Sequence, residues 1–428
     1  MRALQRTLTT RGASFAGCGA VLVLAGIVLG QVDITRVGVL LLALTALSLL
    51  LVRRHGLRLE VARTVAPGQV AIDQRSLVTV TVRNAEATPT PILMAEESID
   101  YALGDRPRFV LPALRPGATR ELQYGVRSHT RGVHRVGPLR VRVRDPFGLS
   151  LRTAAVSGEA EVVVLPRVVP LSEGRSLGSG IGSEGSVPHM VALHGEDDQT
   201  IREYRDGDDL RRIHWPATAR TGDLMVRQED RPAKRRAVVL LDSRAAGHAG
   251  SGRAGSIEWC VTTAASVVAH LVDSGYAVHL LVADPSSEHG SRHDDTLHGA
   301  LDSLARVGLT GEDATRAVLH DASGLTAQGG LVVYVGGPLP DDDAHALAAL
   351  RQPGSSALAL VIDPRSFGGR RAAGDGAGSP AGTADGSTGA TCAMLTASGW
   401  LTLSVGAATT PAEAWATVVG GSLAGAAR

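Results

Sequence analysis

Val238-Val239-Leu240-Leu241-Asp242 is apolar up to a single terminal carboxylate, and flanking arginines at 235 and 236 stop it on the other side. A run this short and this continuous reads as a strand buried on both faces, since a half-exposed strand would alternate with polar residues. Similar runs recur at 277–283, 331–335, 357–362 and 401–405. Between them, helical spacing of apolar residues falls at 257–273, 296–306, 313–320, 341–351 and 411–419. In the first of these helices Val261, Ala264, Val268, Leu271 and Val272 lie three or four apart and form a stripe able to cover a sheet. Strands alternating with amphipathic helices imply a doubly wound α/β domain with a parallel sheet over 237–428. Residues 367–390 interrupt it with Gly, Ala, Ser, Asp and Thr and read as a disordered surface insertion.

Upstream the texture changes. From 57 to 167 short alternating runs such as Leu77-Val78-Thr79-Val80-Thr81-Val82 are broken by turn residues, the pattern of an antiparallel β-sandwich. In Leu139-Arg140-Val141-Arg142-Val143-Arg144 the arginines fall on one face of a strand and the valines on the other. Residues 168–200 are rich in Gly and Ser without apolar period and read as a flexible linker.

The N-terminal 56 residues contain two apolar stretches, 13–30 and 37–52, joined by a short polar connection. As helices they extend roughly 27 and 24 Å, close to the ~30 Å hydrocarbon layer, so a transmembrane hairpin is expected. Arg2, Arg6 and Arg11 precede the hairpin and Arg53, Arg54 and Arg58 follow it, which places both ends and the soluble domains in the cytoplasm. Three widely spaced cysteines, Cys18, Cys260 and Cys392, fit no ligand spacing and agree with a reducing compartment.

Composition narrows the function classes. The 428 residues carry 43 basic and 42 acidic side chains, a formal charge of +1, so no clustered basic excess marks a nucleic-acid surface. All but one of the basic residues, Lys234, are arginine. No phosphate-binding loop, dinucleotide fingerprint or nucleophile elbow follows a strand, and no cofactor is expected.

The densest polar segment, 201–236, contains Arg202-Glu203-Tyr204-Arg205-Asp206-Gly207-Asp208-Asp209 and continues through Trp215-Pro216 to Ala219-Arg220-Thr221-Gly222. Gly207 suits a turn, Asp208 or Asp209 a cap for a helix starting near Leu210, and Pro216 and Gly222 the start and end of a second short helix. Arginines and carboxylates this close can form bidentate pairs around Tyr204 and Trp215. This order of residues, with Arg212, Ile213 and Leu224, resembles the hallmark of the domain-of-unknown-function-58 (DUF58) family. Arg131-Gly132, Gly137-Pro138 and Asp145-Pro146-Phe147-Gly148-Leu149 resemble the same family's β-domain.

That resemblance implies a membrane anchor, a von Willebrand factor A-like C-terminal domain and a MoxR-type AAA+ ATPase as protein partner. A domain of that type would carry an Asp-x-Ser-x-Ser metal loop after its first strand. Here Asp242-Ser243-Arg244-Ala245-Ala246 has Arg244 and Ala246 where the serines belong, so the metal site is degenerate and Asp242 is structural. The leading expectation is a membrane-anchored scaffold that binds protein through Arg202, Glu203, Tyr204, Gly207, Asp208, Asp209, Arg212, Trp215, Arg220 and Gly222. One alternative is a metal-dependent or hydrolytic enzyme using Glu203, Asp208 and His214. Another is a metal-dependent ligand-binding module of the von Willebrand factor A-like type. His289, His293 and His298 with Asp294 and Asp295 form a second polar cluster, read as a solvated Ser/Gly-rich loop.

Overall fold

A computed structural model describes residues 8–54, 57–171, 200–204, 213, 215–228, 235–284, 290–327, 329–368 and 388–425, without the side chains of 53, 54, 200–203, 226–228 and 421–425. The chain divides into two compact units, 1–165 and 166–428. The linker at 172–199 and most of the insertion at 369–387 lie outside the described residues.

The first unit begins with a hairpin of helices α1 (Thr10–Val28) and α2 (Val32–Arg54). Both are long and apolar enough to cross a membrane. Glycine decides how they meet: Gly12, Gly19 and Gly26, seven residues apart, are the buried positions of α1. A Cβ on Gly19 would come within 3.0 Å of the Gly38 carbonyl, so the two backbones touch where larger side chains would hold them apart. The expected connection at 31–36 is corrected, because the turn is Leu29–Gln31 and Asp33 and Arg36 already belong to α2. There they pair at 3.0 Å one helical turn apart, which lets two charged residues sit in a helix start.

Two sheets follow around one core. One joins β1 (Leu59–Ala66), β3 (Arg75–Asn84) and β6 (Thr119–Arg127) in the order β1-β3-β6. The other orders β2 (Gln69–Ala71), β9 (Ala160–Leu165), β7 (Gly132–Arg144), β4 (Leu93–Ile99) and β5 (Arg108–Leu111), with β8 (Leu151–Val156) also on β7. Alternation sets the faces: Val78, Val80 and Val82 from one sheet and Leu139, Val141 and Val143 from the other are buried together. Arg140, Arg142 and Arg144 point to solvent, as the period of two requires.

The second unit centres on a six-stranded sheet. In chain order its strands are β12 (Arg236–Leu241), β13 (Ala277–Ala283), β14 (Ser291–Asp294), β15 (Leu331–Gly336), β16 (Ala357–Ile362) and β17 (Leu401–Val405). In space they run β14-β13-β12-β15-β16-β17, all parallel except the edge strand β14. Helices α4 (Ser256–Asp273), α5 (Leu297–Arg306) and α10 (Pro411–Gly425) bury one face of the sheet. Helices α6 (Ala314–Thr326), α7 (Asp341–Ala349) and α9 (Thr388–Ala397) bury the other. The result is a mixed α/β region whose four central strands are covered on both faces, with β14 and β17 at the edges. Two expectations need correction. Residues 388–390 were placed in the insertion but open α9, and 291–294 were read as loop but form β14, paired with β13 at Leu280–Asp294 and Leu281–His293.

One polar pair interrupts the apolar core of the first unit. Arg63 Nε donates to Glu97 Oε1 at 2.8 Å and Arg63 Nη1 to the Gly158 carbonyl at 2.6 Å, with both side chains almost fully buried. Burial pushes the Glu97 carboxyl above its ordinary value, and the bond and charge of Arg63 only partly oppose it. Arg63 Nη2 and Glu97 Oε2 have no hydrogen-bond partner among the described residues. Such a pair is costly to break and cheap to replace. Arg63→Met alone should destabilise the chain by about 3–5 kcal/mol, while Arg63→Met with Glu97→Leu should recover most of that loss. Thermal unfolding of the full-length chain in detergent decides it. A double variant as unstable as the single one would mean that the pair itself, not the orphaned charge, carries the energy.

Candidate functional site

The carboxyl ends of β12 and β15 meet where the strand order reverses, with β13 to one side of β12 and β15 to the other. A crevice for ligands forms at this point in open α/β sheets because successive loops leave in opposite directions. Asp242 stands there, one residue beyond β12, its amide donating to the Val335 carbonyl at 3.0 Å. Its side chain is wholly buried, so the charge has to be met from within the protein.

Arg244 meets it. Nε donates to Asp242 Oδ1 at 3.0 Å and Nη2 to Oδ2 at 2.9 Å, a forked pair, while the Arg244 amide reaches Oδ1 at 3.1 Å. Thr315 Oγ1, from the first turn of α6, donates to Oδ1 at 2.8 Å. The Tyr334 hydroxyl lies 3.3 Å from Oδ2 and 2.8 Å from the Gly337 carbonyl and shares its proton between them. Arg244 is itself fixed by the Pro338 carbonyl, 2.9 Å from Nη2. Gly336 permits this closeness, because a Cβ there would strike the Asp242 side chain. The loop after β12 is tied down too: Thr310 donates to the Ser243 carbonyl at 2.9 Å and Ala245 to the Thr310 carbonyl at 3.0 Å.

The electrostatics follow from the contacts. Burial raises the Asp242 carboxyl, but the hydrogen bonds and charge of Arg244, helped by Thr315, outweigh it and hold the group below the ordinary carboxylate range. Burial likewise opposes the Arg244 charge, and Asp242 more than restores it. Burial pushes His248 below its ordinary value, so the ring is neutral near pH 7. Its Nε2 lies 2.9 Å from the Asp242 carbonyl and therefore carries the proton, leaving Nδ1 to accept from Ser256 Oγ at 3.0 Å. Each group here is spoken for in a closed network. The guanidinium occupies the carboxylate's binding directions that a divalent cation would need.

The signature segment lies elsewhere in the second unit. Its ends form a two-stranded sheet of β10 (Thr200–Glu203) and β11 (Met225–Gln228), in which Arg202 faces Val226 and Glu203 faces Met225. The Tyr204 amide donates to the Leu224 carbonyl at 2.7 Å. Between them helix α3 (Trp215–Thr221) has Pro216 in its first turn. It ends where the Gly222 amide donates to the Thr218 carbonyl at 2.9 Å and Gly222 turns to φ +82°. Thr218 Oγ1 accepts from the Met225 amide at 3.0 Å and braces helix against strand. Trp215 is 66% exposed and Leu224 41%, and Arg220 is exposed as well. The side chains of Arg202 and Glu203, all of Gly207, Asp208, Asp209, Arg212 and His214, and the helix expected near Leu210 lie outside the described residues.

The second polar cluster comes apart. His293 is on β14, His298 on α5, and His289 lies outside the described residues. Asp294 accepts from Ser303. His293 instead meets His279 of β13, with Nε2 and Nδ1 2.8 Å apart, a cross-strand pairing that sequence spacing alone does not reveal. Among the described residues no group of three or more His, Cys, Asp or Glu side chains is placed to hold a metal ion.

Residues 200–365 match the family described as Protein of unknown function DUF58, which supports that family for this segment. No curated protein matches the chain. Among solved structures, the chain is similar to a CARDB domain from Pyrococcus furiosus in complex with di-metal ions, 18% identical over 26% of this chain and 89% of that one, at a TM-score of 0.19. The putative ApaA protein from Bordetella pertussis is 17% identical over 26% of this chain and 94% of that one, at a TM-score of 0.20. Similarities of this size assign nothing to the chain.

Removing Arg244 should expose the cost of the buried carboxylate. In the native protein Asp242's contribution is present above the unfolded carboxylate value of about 3.9 and is lost only as pH falls through the lower folded value. In Arg244→Ala, burial acts on Asp242 against only the bonds from Thr315, Tyr334 and the residue-244 amide, without the guanidinium that outweighed it, so the folded value rises and stability is lost as pH rises through it. The deficit of the variant should therefore widen between about pH 4 and pH 7, towards roughly 3–5 kcal/mol. Melting temperatures across that range test this, and a deficit independent of pH would show that Arg244 acts through packing rather than charge.

Proposed function

We propose that this chain is a membrane-anchored, cytoplasm-facing scaffold of the DUF58 family whose α/β unit, of von Willebrand factor A-like type, binds another protein. The observation that carries the reading is the surface of the signature segment: a braced short helix presents Trp215 and Arg220 to solvent, and the turn after it presents Leu224. Trp and Arg dominate interface energies when a partner covers them, and a large exposed indole held on a fixed helix has its ordering cost met in advance. The closed Asp242–Arg244 network favours recognition by such a surface over capture through a bridging cation. The family resemblance points to a MoxR-type AAA+ ATPase as the partner.

The two apolar helices and the arginines on both sides of them favour anchoring with the soluble units on the cytoplasmic side. Confinement to a surface raises the effective concentration of two proteins that both reside there without any added contact. Affinity capture from detergent-solubilised membranes tests the proposal, with wild type compared against Trp215→Ala and Arg220→Ala. Wild type should retain an AAA+ ATPase, and a hot-spot loss of about 2 kcal/mol predicts roughly thirty-fold weaker retention by Trp215→Ala. The same ATPase held equally by a folded Trp215→Ala chain would remove this surface from the proposal, and no ATPase on the wild type would remove the partner.

A further inference from the structure

The loop Asp145–Ser150 is held rigid by its own first side chain. Asp145 Oδ2 accepts from the Phe147 amide at 3.0 Å and Oδ1 from the Ser150 amide at 2.6 Å, while the Asp145 carbonyl accepts from Gly148 at 3.1 Å. This loop is seated on the helical hairpin of the same unit. The Leu149 carbonyl accepts from the Thr9 amide at 3.0 Å, and the Gly148 carbonyl from Thr9 Oγ1 at 2.8 Å. On the other helix Ser48 Oγ and Ser150 Oγ are 2.7 Å apart, and Ser150 Oγ donates to the Ser48 carbonyl at 3.0 Å, with both serines fully buried. Gly12 has to be glycine, because a Cβ there would collide with the Leu149 carbonyl.

These contacts fix how far the hairpin can enter a bilayer. From Gly12 to Val28, and from Ser48 back to Val32, each helix rises about 24 Å at 1.5 Å per residue, less than the ~30 Å hydrocarbon layer. On α2 the apolar run continues past Ser48 to Val52, so an acyl region matched to that helix reaches the level of the loop. Phe147 sits at that level, one residue from Gly148, and is half exposed although its neighbour Leu149 is buried. Arg11 and Arg144 are exposed close by in sequence to the two seated segments, the flanking chemistry of a headgroup region.

Resting on the membrane-anchored reading above, we infer that the 145–150 loop is a third membrane contact, with Phe147 inserted at the lipid interface and the β-sheet unit thereby held flush against the bilayer. The partner surface is the lipid boundary itself, because the loop is bonded to Thr9 and Ser48 on two helices that carry exposed apolar side chains such as Phe15, Leu47 and Leu50. An isolated exposed Phe elsewhere would need no explanation. A Phe carried on a hydrogen-bonded loop, at the depth where α1 gives way to Arg11 while α2 is still apolar, is placed for insertion.

The test uses the full-length chain with Cys18→Ser, Cys260→Ala and Cys392→Ser, reconstituted into phosphatidylcholine/phosphatidylglycerol vesicles. Single cysteines replace Phe147, Val21 or Tyr101, and each carries a polarity-sensitive nitrobenzoxadiazole probe. Val21 is an exposed position within α1, and Tyr101 is the most exposed large hydrophobic side chain among the described residues of the same unit. The expected result is strong quenching at 21 by deep nitroxide lipids, and at 147 quenching by shallow nitroxide lipids several-fold greater than at 101. Quenching at 21 with 147 indistinguishable from 101 would overturn the loop contact and leave the anchor standing. No quenching at 21 or 147 would overturn both.

Discussion

The second unit depends on compensation of one buried charge. A carboxylate at the end of the first parallel strand, sealed from water at the crevice of the sheet, cannot persist as an ion without a partner, and Arg244 supplies that partner from two residues away. The pairing organises more than itself. Thr315 brings the start of α6 to the carboxylate, Tyr334 brings β15, and the Pro338 carbonyl brings the loop that follows β15. Segments that in an open site would be free to rearrange around a ligand are tied to one ion pair, Thr315 and Tyr334 to its carboxylate and Pro338 to its guanidinium. A planar, forked cation delivered by the chain is always present, whereas an exchangeable metal would make the same geometry conditional. The crevice is thus preorganised and permanent, and any selectivity of this unit has to come from surfaces that are not already paired.

Much of the second unit was legible because parallel strands covered on both faces have to be continuously apolar, and nothing else in a soluble segment of that length does. Strands at 277–283, 331–336 and 357–362 fall where the apolar runs lie. The failures have equally physical causes. Helix α9, with Thr388-Gly389-Ala390-Thr391-Cys392 at its start, lacks charged residues to mark a polar face, so it merged with the Gly/Ala-rich run before it. Strand β14 is the edge of the sheet and antiparallel, so it need not be apolar, and Ser-Arg-His-Asp carries none of the strand signal. Asp33 and Arg36 suggested a loop only because their mutual pairing inside a helix was not considered.

The site was legible in part for similar reasons. Arg244 was visible as the residue that stands where a serine ligand belongs, but a missing ligand does not by itself point to the carboxylate's forked partner. An Asp and an Arg two apart at a strand end are the one local signal of that bond. Thr315 and Tyr334 lie 73 and 92 residues from Asp242 and could not be assigned to it without the sheet order. For the signature segment, the capping and turn residues did read through, since Pro216 and Gly222 bracket α3. The direction of the Trp215 side chain did not, because an aromatic residue beside arginines fits a buried network and an exposed surface equally well.

The hairpin shows the same principle at the other end of the chain. Its apolar content was easy to see, yet what makes it a structural part of the first unit is the absence of side chains at Gly12, Gly19 and Gly26 and two small hydroxyls at Ser48 and Ser150. Apolar content does not by itself fix how two helices meet, and close backbone contact with local hydrogen bonds does. Here that contact extends from helix against helix to helix against loop. The sheets of the first unit do not hang from the hairpin by a flexible stem but are packed onto its base through the Leu149 carbonyl, which leaves no room for a Cβ at Gly12.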